Sequence, residues 1–135
     1  MDHRGTEKRG ENSQRDPLTG KVIECAIEVH RALGPGLLES AYEECLCYEL
    51  SAAGMRFRRQ VPLPLTYKQV KLDCGYRLDV IVEGNLVVEL KTVESILPIH
   101  EAQMLTYLRL SGIRTGLLLN FSVPVLRDGI RRFVL

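Results

Sequence analysis

The segment from Tyr76 to Val93 constrains the fold most, because it places three charged side chains inside apolar runs. It reads Tyr-Arg-Leu-Asp-Val-Ile-Val-Glu-Gly-Asn-Leu-Val-Val-Glu-Leu-Lys-Thr-Val. Two runs rich in Val, Ile and Leu around the turn signal at 83–85 predict a β-hairpin. A buried charge is costly unless it is paired or holds a metal. Asp79, Glu89 and Lys91 therefore indicate a functional site.

The length of the hairpin loop decides whether these side chains meet. Glu89 and Lys91 are two positions apart, so they face the same side of their strand. A two-residue loop would pair 79 with 90 and turn Asp79 away. A three-residue loop would pair 79 with 89, with the Cβ atoms roughly 4.5–5.5 Å apart. We predict the three-residue loop, with Gly84 or Asn85 at positive φ, because both carboxylates can then share one divalent cation.

The pattern Asp79-x9-Glu89-x-Lys91 resembles the signature of the PD-(D/E)xK nuclease superfamily, with Leu78 at the position of the nominal proline. Taken alone, the hairpin is equally consistent with a surface hairpin that carries a cross-strand ion pair. Gln103 and Tyr107 follow on a predicted helix and share one of its faces at i, i+4. This Gln-x3-Tyr spacing after Glu-x-Lys is similar to the additional motif of RecB-like members of the superfamily.

A second resemblance lies upstream, in the string His-Arg-x-Leu-Gly-Pro-Gly-x2-Glu-x2-Tyr that spans 30–42. Its Gly36-x2-Glu39-x2-Tyr42 core looks like the signature of the GxxExxY proteins, which are assigned to the same superfamily. The likeness covers most of the chain after residue 16. Glu39 stands in the first turn of a predicted helix, where an acid also favours the helix dipole, so it either caps the helix or faces the site.

Composition predicts one domain. The chain has 135 residues, of which 45% are hydrophobic, and a net charge of +1. Residues 1–16 hold eight charged residues and a single apolar one, Met1, and are expected to be a disordered tail before a single domain at 17–135. We expect a cytoplasmic protein without a membrane contact, because no apolar run approaches the roughly 18 residues of a membrane span and no signal peptide is visible.

The predicted fold is α/β. Two N-terminal helices, from about 17 to 33 and about 37 to 54, precede a mixed sheet of four or five strands with one crossover helix near 96–111. An edge strand is expected over Phe57–Tyr67, paired across a Lys68-Gln69 turn with a strand from Val70. A buried strand follows at 116–121, and the segment 129–135 is expected to be a final strand or an extended tail. The resemblance implies a restriction-endonuclease-like core.

The resemblance also implies a function, which is Mg²⁺- or Mn²⁺-dependent hydrolysis of phosphodiester bonds in nucleic acid, with DNA favoured over RNA. Asp79, Glu89 and the Leu90 carbonyl would bind the metal, and Glu39 would complete the cluster directly or through water. Lys91 would position or deprotonate the attacking water. Gln103 and Tyr107 would orient Lys91 or the nucleic acid. His30 is a minor candidate ligand, against its alternative as a packing residue.

Other interpretations remain open at this point. The chain could be a non-catalytic module with a nuclease-like fold that binds nucleic acid or protein, and it could form a homo-oligomer or need a protein partner. Arg56, Arg58 and Arg59 are either a solvated face or a phosphate contact. The four cysteines lack a Cys-x2-Cys pair, which argues against a zinc site. A cysteine hydrolase would need a Cys–His pair, and no cysteine has recognisable nucleophile surroundings.

Overall fold

The computed structural model describes residues 16–135, so the predicted tail falls almost wholly outside the described residues. Three helices and seven strands make up the secondary structure of this part, together with a short 3-10 turn at Leu126–Gly129. Their bounds are α1 Pro17–Leu33, α2 Glu39–Ala52, β1 Phe57–Pro62, β2 Leu65–Tyr67, β3 Val70–Leu72, β4 Arg77–Val82, β5 Leu86–Lys91, α3 Pro98–Ser111, β6 Thr115–Asn120 and β7 Ile130–Val134.

Five of the strands form one mixed sheet in the order β1-β4-β5-β6-β7. Only β5 and β6 are parallel, and α3 is the crossover between them. Pro98 opens this helix and Gly112 closes it with left-handed geometry at φ 78, the usual asymmetry of helix ends. The predicted α/β class, with two leading helices and one crossover helix, is confirmed.

The sheet lies between two helical layers. One core joins α1 and α2 to the face of the sheet that carries Val88 and Leu90, while the other joins α3 to the face that carries Val87. Alternate residues of a strand point to opposite faces, so β5 supplies both cores and its residues from Leu86 to Leu90 are all buried. Glu89 has the parity of Val87 and therefore belongs to the α3 side.

The loop of the β4–β5 hairpin has three residues, as predicted. Val82 pairs with Leu86 and Val80 with Val88, so the same register brings 79 opposite 89. The positive φ values fall on Glu83 (53°) and Gly84 (67°). The prediction for Gly84 is thus confirmed, while Asn85 keeps an ordinary φ and Glu83 adopts the left-handed conformation instead.

Two other predicted elements differ from the structure. The single edge strand over 57–67 is two strands, since β1 pairs with β4 in the main sheet and only β2 pairs with β3 across Lys68-Gln69. The break falls at Pro62 and Pro64, which have no N–H to continue a ladder. The second helix begins at Glu39 rather than near Leu37.

Asp16 belongs to the folded domain and not to the tail. Its side chain caps α1 by accepting the Thr19 N–H, and its Oδ2 lies 2.9 Å from Nη2 of Arg132. This ion pair ties the first helix to β7, the last strand. No helix among residues 16–135 is both long and apolar enough to cross a bilayer.

Two buried glycines test how tightly the layers pack. A Cβ at Gly129 would meet the main-chain oxygen of Asn120 at 2.3 Å, whereas a Cβ at Gly116 would meet Sδ of Met104 at 2.5 Å. The flexible side chain of Met104 can move aside, whereas the backbone of β6 at Asn120 cannot. We expect Gly129→Ala to lower the free energy of unfolding by about 3 kcal/mol or more and Gly116→Ala by about 1 kcal/mol, at the two ends of the usual cost of overpacking. Urea titration measures both, and an equal loss would contradict the rigid contact at Gly129.

Candidate active site

Asp79 and Glu89 face each other where the β4–β5 ladder ends. The Asp79 N–H donates to Oε2 of Glu89 at 2.9 Å, and the Leu90 N–H donates to Oδ2 of Asp79 at 3.0 Å. Paired strands normally satisfy such amides with main-chain carbonyls. Here each carboxylate is held by the main chain of the opposite strand, so the two acids are fixed in position by the hairpin itself.

The backbones of β1 and β4 are both irregular beside the acid pair. Gln60 stands opposite Asp79 in the β1–β4 register and has a left-handed φ of 50°. On β4, Leu78 packs in the α3 core, but Val80 packs in the core of α1 and α2. In a regular strand these two residues would face the same side. The strand therefore turns over at Asp79, which lies between the two layers.

Burial of this acid pair raises the pKa of both carboxyls. Loss of solvent raises the pKa of Glu89 to about 8, and the negative charge of Asp79 adds to this effect. Burial likewise raises the pKa of Asp79, with the charges of Glu43 and Glu39 acting in the same direction, while the Leu90 N–H and Lys91 oppose the rise. A buried and a partly buried carboxylate this close favour any arrangement that neutralises them.

Lys91 lies on the α3 side of the sheet together with Glu89. Its Nζ is 3.5 Å from Oε1 of Gln103 on α3. One turn further along α3, Tyr107 is buried, and burial followed by the charges of Glu89 and Asp79 raises its pKa. The structure thus brings the predicted residues of β4, β5 and α3 into one neighbourhood.

Glu39 is the first residue of α2, and its side chain is exposed. Its charge still raises the pKa of both Asp79 and Glu89, which places it near the pair. Among residues 16–135, however, no three His, Cys, Asp or Glu side chains are close enough to share a metal ion. The structure therefore contains a pair of acids with Glu39 outside it, and direct ligation by Glu39 stays a prediction.

Tyr42 has a structural role in the same motif. The fully buried ring stacks on Phe121 at 4.4 Å between centroids. Its hydroxyl donates to the Gly34 carbonyl and accepts the Leu37 N–H at 3.2 Å. These bonds close the α1–α2 loop and so set where α2 begins, directly before Glu39.

Glu43 was not singled out from the sequence. It is 7% exposed, its Oε2 lies 3.0 Å from Nε of Arg59, and its Oε1 accepts the Gln60 amide at 2.9 Å. Glu43 thus connects α2 to the residue that stands opposite Asp79. Its spacing of four from Glu39 was the available signal, because i and i+4 share a helix face.

Asn120 was missed as well. It is 1% exposed, and its Oδ1 accepts the Val93 N–H at 3.1 Å while its Nδ2 donates to the Val93 carbonyl at 2.9 Å. The amide side chain thus holds the segment that leaves β5 directly after Lys91. No signal in the sequence separates this asparagine from the apolar run around it.

His30 and the cysteines do not join the acid pair. Nε2 of His30 is 2.8 Å from the Val123 carbonyl and the side chain is buried, which fits the packing alternative. Cys47 is buried, and the loss of solvent raises the pKa of its thiol to about 11. Burial also raises the pKa of Cys25. A thiol with a raised pKa is a poor nucleophile at neutral pH.

The chain matches the model of one known protein family. The model described as the PD-(D/E)XK nuclease superfamily matches residues 16–133, which include both helices of the first layer, the hairpin and α3. No curated protein and no solved structure gives a significant match to the chain.

The raised pKa of Glu89 predicts how stability depends on pH. The folded protein keeps this proton up to a pH of about 8, whereas the unfolded chain releases it near the ordinary value of about 4.3. The free energy of unfolding should therefore fall as the pH rises through that window. Glu89→Gln should remove this decline and be more stable than wild type at pH 8. Urea titrations from pH 5 to 9 with a chelator would show it.

Glu24→Gln provides the control for that experiment, since Glu24 is an exposed acid on α1. It should leave the pH dependence as in wild type. If Glu89→Gln and Glu24→Gln follow the same curve, Glu89 does not carry a buried proton.

Arg59 offers a matched pair of substitutions that tests the role of Glu43. The guanidinium contacts Glu43, whose side chain is 9% exposed, and Glu44, whose side chain is 70% exposed. Glu44→Ala should change the free energy of unfolding by less than about 1 kcal/mol, as exposed pairs do. Glu43→Ala should cost about 1–3 kcal/mol, because it removes the two hydrogen bonds that this buried carboxylate accepts from Arg59 and from the Gln60 amide. Chemical denaturation compares them, and equal costs would show that Glu43 is no more than a surface partner.

Proposed function

Since the chain belongs to the PD-(D/E)XK nuclease superfamily, we propose that it hydrolyses phosphodiester bonds of nucleic acid with the help of a divalent cation. One observation carries the proposal. Asp79 and Glu89 are held opposite each other by reciprocal bonds to main-chain amides, and Lys91 lies on the Glu89 face of β5. Glu89 is buried and Asp79 is partly buried. Among the ion pairs of the described residues, neither acid is in direct contact with a guanidinium or an ammonium, so their charge calls for a cation.

The acid pair fits Mg²⁺ or Mn²⁺ by its chemistry. Superfamily members typically use divalent metals, and hard cations take carboxylate and carbonyl oxygens as ligands. Each acid commits one oxygen to a main-chain amide. Among residues 16–135, no hydrogen bond engages Oδ1 of Asp79 or Oε1 of Glu89. These two oxygens and the Leu90 carbonyl are the ligands we assign, with Glu39 acting through water from the start of α2.

When bound, the cation supplies hydroxide near neutral pH and polarises the scissile phosphate. The chain's own residues supply position. Lys91, whose ammonium lies near the Gln103 amide, orients the attacking water and steadies the negative charge that builds on the phosphate. Water forms the new P–O bond, the bond to the leaving oxygen breaks, and that oxygen takes up a proton. Gln103 and Tyr107 keep Lys91 directed at the acid pair.

Within the superfamily, we assign the chain to the GxxExxY proteins. The support is the sequence string at 30–42 and the place of its residues in the fold. Tyr42 closes the loop that carries Gly36, and Glu39 is the exposed residue next to the acids. The competing function is a non-catalytic module with a nuclease-like fold that binds nucleic acid or protein. The small net charge of +1 provides few phosphate contacts and therefore favours a protein partner.

Substitutions at the acid pair and at Lys91 should have different effects on metal binding. Asp79→Asn and Glu89→Gln should each abolish metal-dependent cleavage and weaken Mn²⁺ binding. Lys91→Ala should abolish cleavage but keep or raise Mn²⁺ affinity, because it removes a nearby positive charge. Isothermal titration with Mn²⁺ measures binding, and labelled DNA and RNA panels measure cleavage.

Two exposed residues of α1 provide matched controls, Glu24→Gln for the acids and Lys21→Ala for the lysine. Both should behave as wild type. Cleavage at the wild-type rate by Asp79→Asn or Glu89→Gln would overturn the proposed metal site. Mn²⁺ binding without cleavage of any substrate would favour the binding module.

A further inference from the structure

The chain between β1 and β4 forms a small two-stranded sheet that is separate from the main sheet. We call β2, β3 and their turn, residues 65–72, the arm. The arm leaves the main sheet after Pro62 and the chain returns at Arg77, and these two residues are paired. Asp79 lies on β4, two residues after Arg77. The arm therefore extends from the end of the sheet that carries the acid pair.

One face of the arm is apolar and uncovered. The register pairs Leu65 with Leu72 and Tyr67 with Val70, so these four side chains share a face. Tyr67 is 58% exposed, Val70 55% and Leu72 38%. A lone two-stranded hairpin is marginally stable in water, and a face of this kind in an exposed arm is typical of a binding surface.

Basic side chains surround the arm. Nζ of Lys68 lies 5.4 Å from the centre of the Tyr67 ring, and Arg77 is exposed where the chain returns to the main sheet. Lys71 is exposed as well, but it pairs with Thr66 and therefore points to the opposite face of the arm. Asp73 is the one acid between 65 and 77. The arm thus combines an exposed aromatic ring with positive charge, whereas the chain as a whole is close to neutral.

A second tyrosine connects the arm to the acid pair. Tyr76 is 43% exposed, and its ring meets that of Tyr107 edge to face, with 6.3 Å between centroids. Tyr107 lies within range of the charges of Glu89 and Asp79. Exposed aromatic surface therefore continues from the arm towards the proposed site of hydrolysis.

We propose that the arm and Tyr76 bind single-stranded nucleic acid, with unpaired bases stacked on Tyr67 and Tyr76 and phosphates held by Lys68 and Arg77. The inference rests on the proposed nuclease function and specifies its substrate class. Bases in a duplex are already stacked on one another and cannot offer their faces to a tyrosine. Aromatic stacking with a few cations is the usual way to bind a single strand.

The test measures the binding of fluorescein-labelled oligothymidylate and oligouridylate to the full chain. Binding is detected by fluorescence anisotropy, and a chelator is present to prevent cleavage. A self-complementary hairpin duplex of equal length is the competitor. Tyr67→Ala and Tyr76→Ala should each weaken single-strand binding by about fivefold to 150-fold, which corresponds to the 1–3 kcal/mol of one stacked base. Tyr76→Phe should bind as wild type because the ring is kept.

Tyr48→Ala is the matched control, since Tyr48 is 71% exposed on α2 and lies outside the arm; it should bind as wild type. The chain has no tryptophan and five tyrosines, so stacking can also be followed as quenching of tyrosine fluorescence. The quenching should shrink in Tyr67→Ala and Tyr76→Ala but not in Tyr48→Ala.

Three results would overturn the inference: duplex binding as tight as single-strand binding, equal affinities for the arm variants and Tyr48→Ala, or an altered oligomeric state in Tyr67→Ala with unchanged binding. The last would make the arm a self-association surface. Arm-dependent binding without cleavage of any substrate would leave the inference standing and refute the nuclease proposal. Cleavage of a nucleic acid whose binding does not depend on the arm would support the nuclease proposal and refute this inference.

Discussion

The two hydrogen bonds between β4 and β5 that involve the carboxylates of Asp79 and Glu89 are the interaction on which the site depends. Each carboxylate accepts a hydrogen bond from a main-chain amide of the opposite strand. At the end of the ladder, side-chain oxygens therefore replace the main-chain carbonyls as acceptors. Burial and the neighbouring negative charges oppose this arrangement. Burial and then the charge of Asp79 raise the pKa of Glu89, and burial with the charges of Glu43 and Glu39 raises the pKa of Asp79. The hairpin tolerates this cost because the strands next to it are anchored in two apolar cores.

The two helical layers contribute different parts of this neighbourhood. From one side, α2 brings the exposed Glu39 and the buried Glu43, whose bond to Gln60 reaches the strand beside Asp79. From the other side, α3 brings Gln103 to Lys91. Both layers can reach the acid pair because β4 reverses the faces of its side chains at Asp79, with Leu78 in one core and Val80 in the other. The left-handed backbone of Gln60 marks this change of face on the neighbouring strand.

The sequence was a good guide wherever the argument was local. Strand alternation and loop length limited the hairpin to two registers, and the predicted one is observed. The spacing of Gln103 and Tyr107 placed both on one face of α3. It was a poor guide to contacts between distant segments. Residue 16 was expected in the disordered tail, whereas Asp16 forms an ion pair with Arg132. The segment 57–67 was expected to be one strand, whereas its two parts belong to different sheets.

The sequence by itself determined the order of the helices and of the hairpin, and it limited the hairpin loop to two or three residues, because these follow from side-chain periods and turn residues within a short segment. The choice of three residues, which sets 79 opposite 89, rested on the cation that the two acids could then share. The tertiary structure alone decided that Glu39 lies outside the acid pair, that Glu43 is buried against Arg59, and that Asn120 holds the chain after Lys91. It also decided that 65–72 stands apart from the main sheet. The reason is physical: burial and ion pairing depend on which surfaces meet, and residues separated by many positions in the chain meet only once the layers have packed.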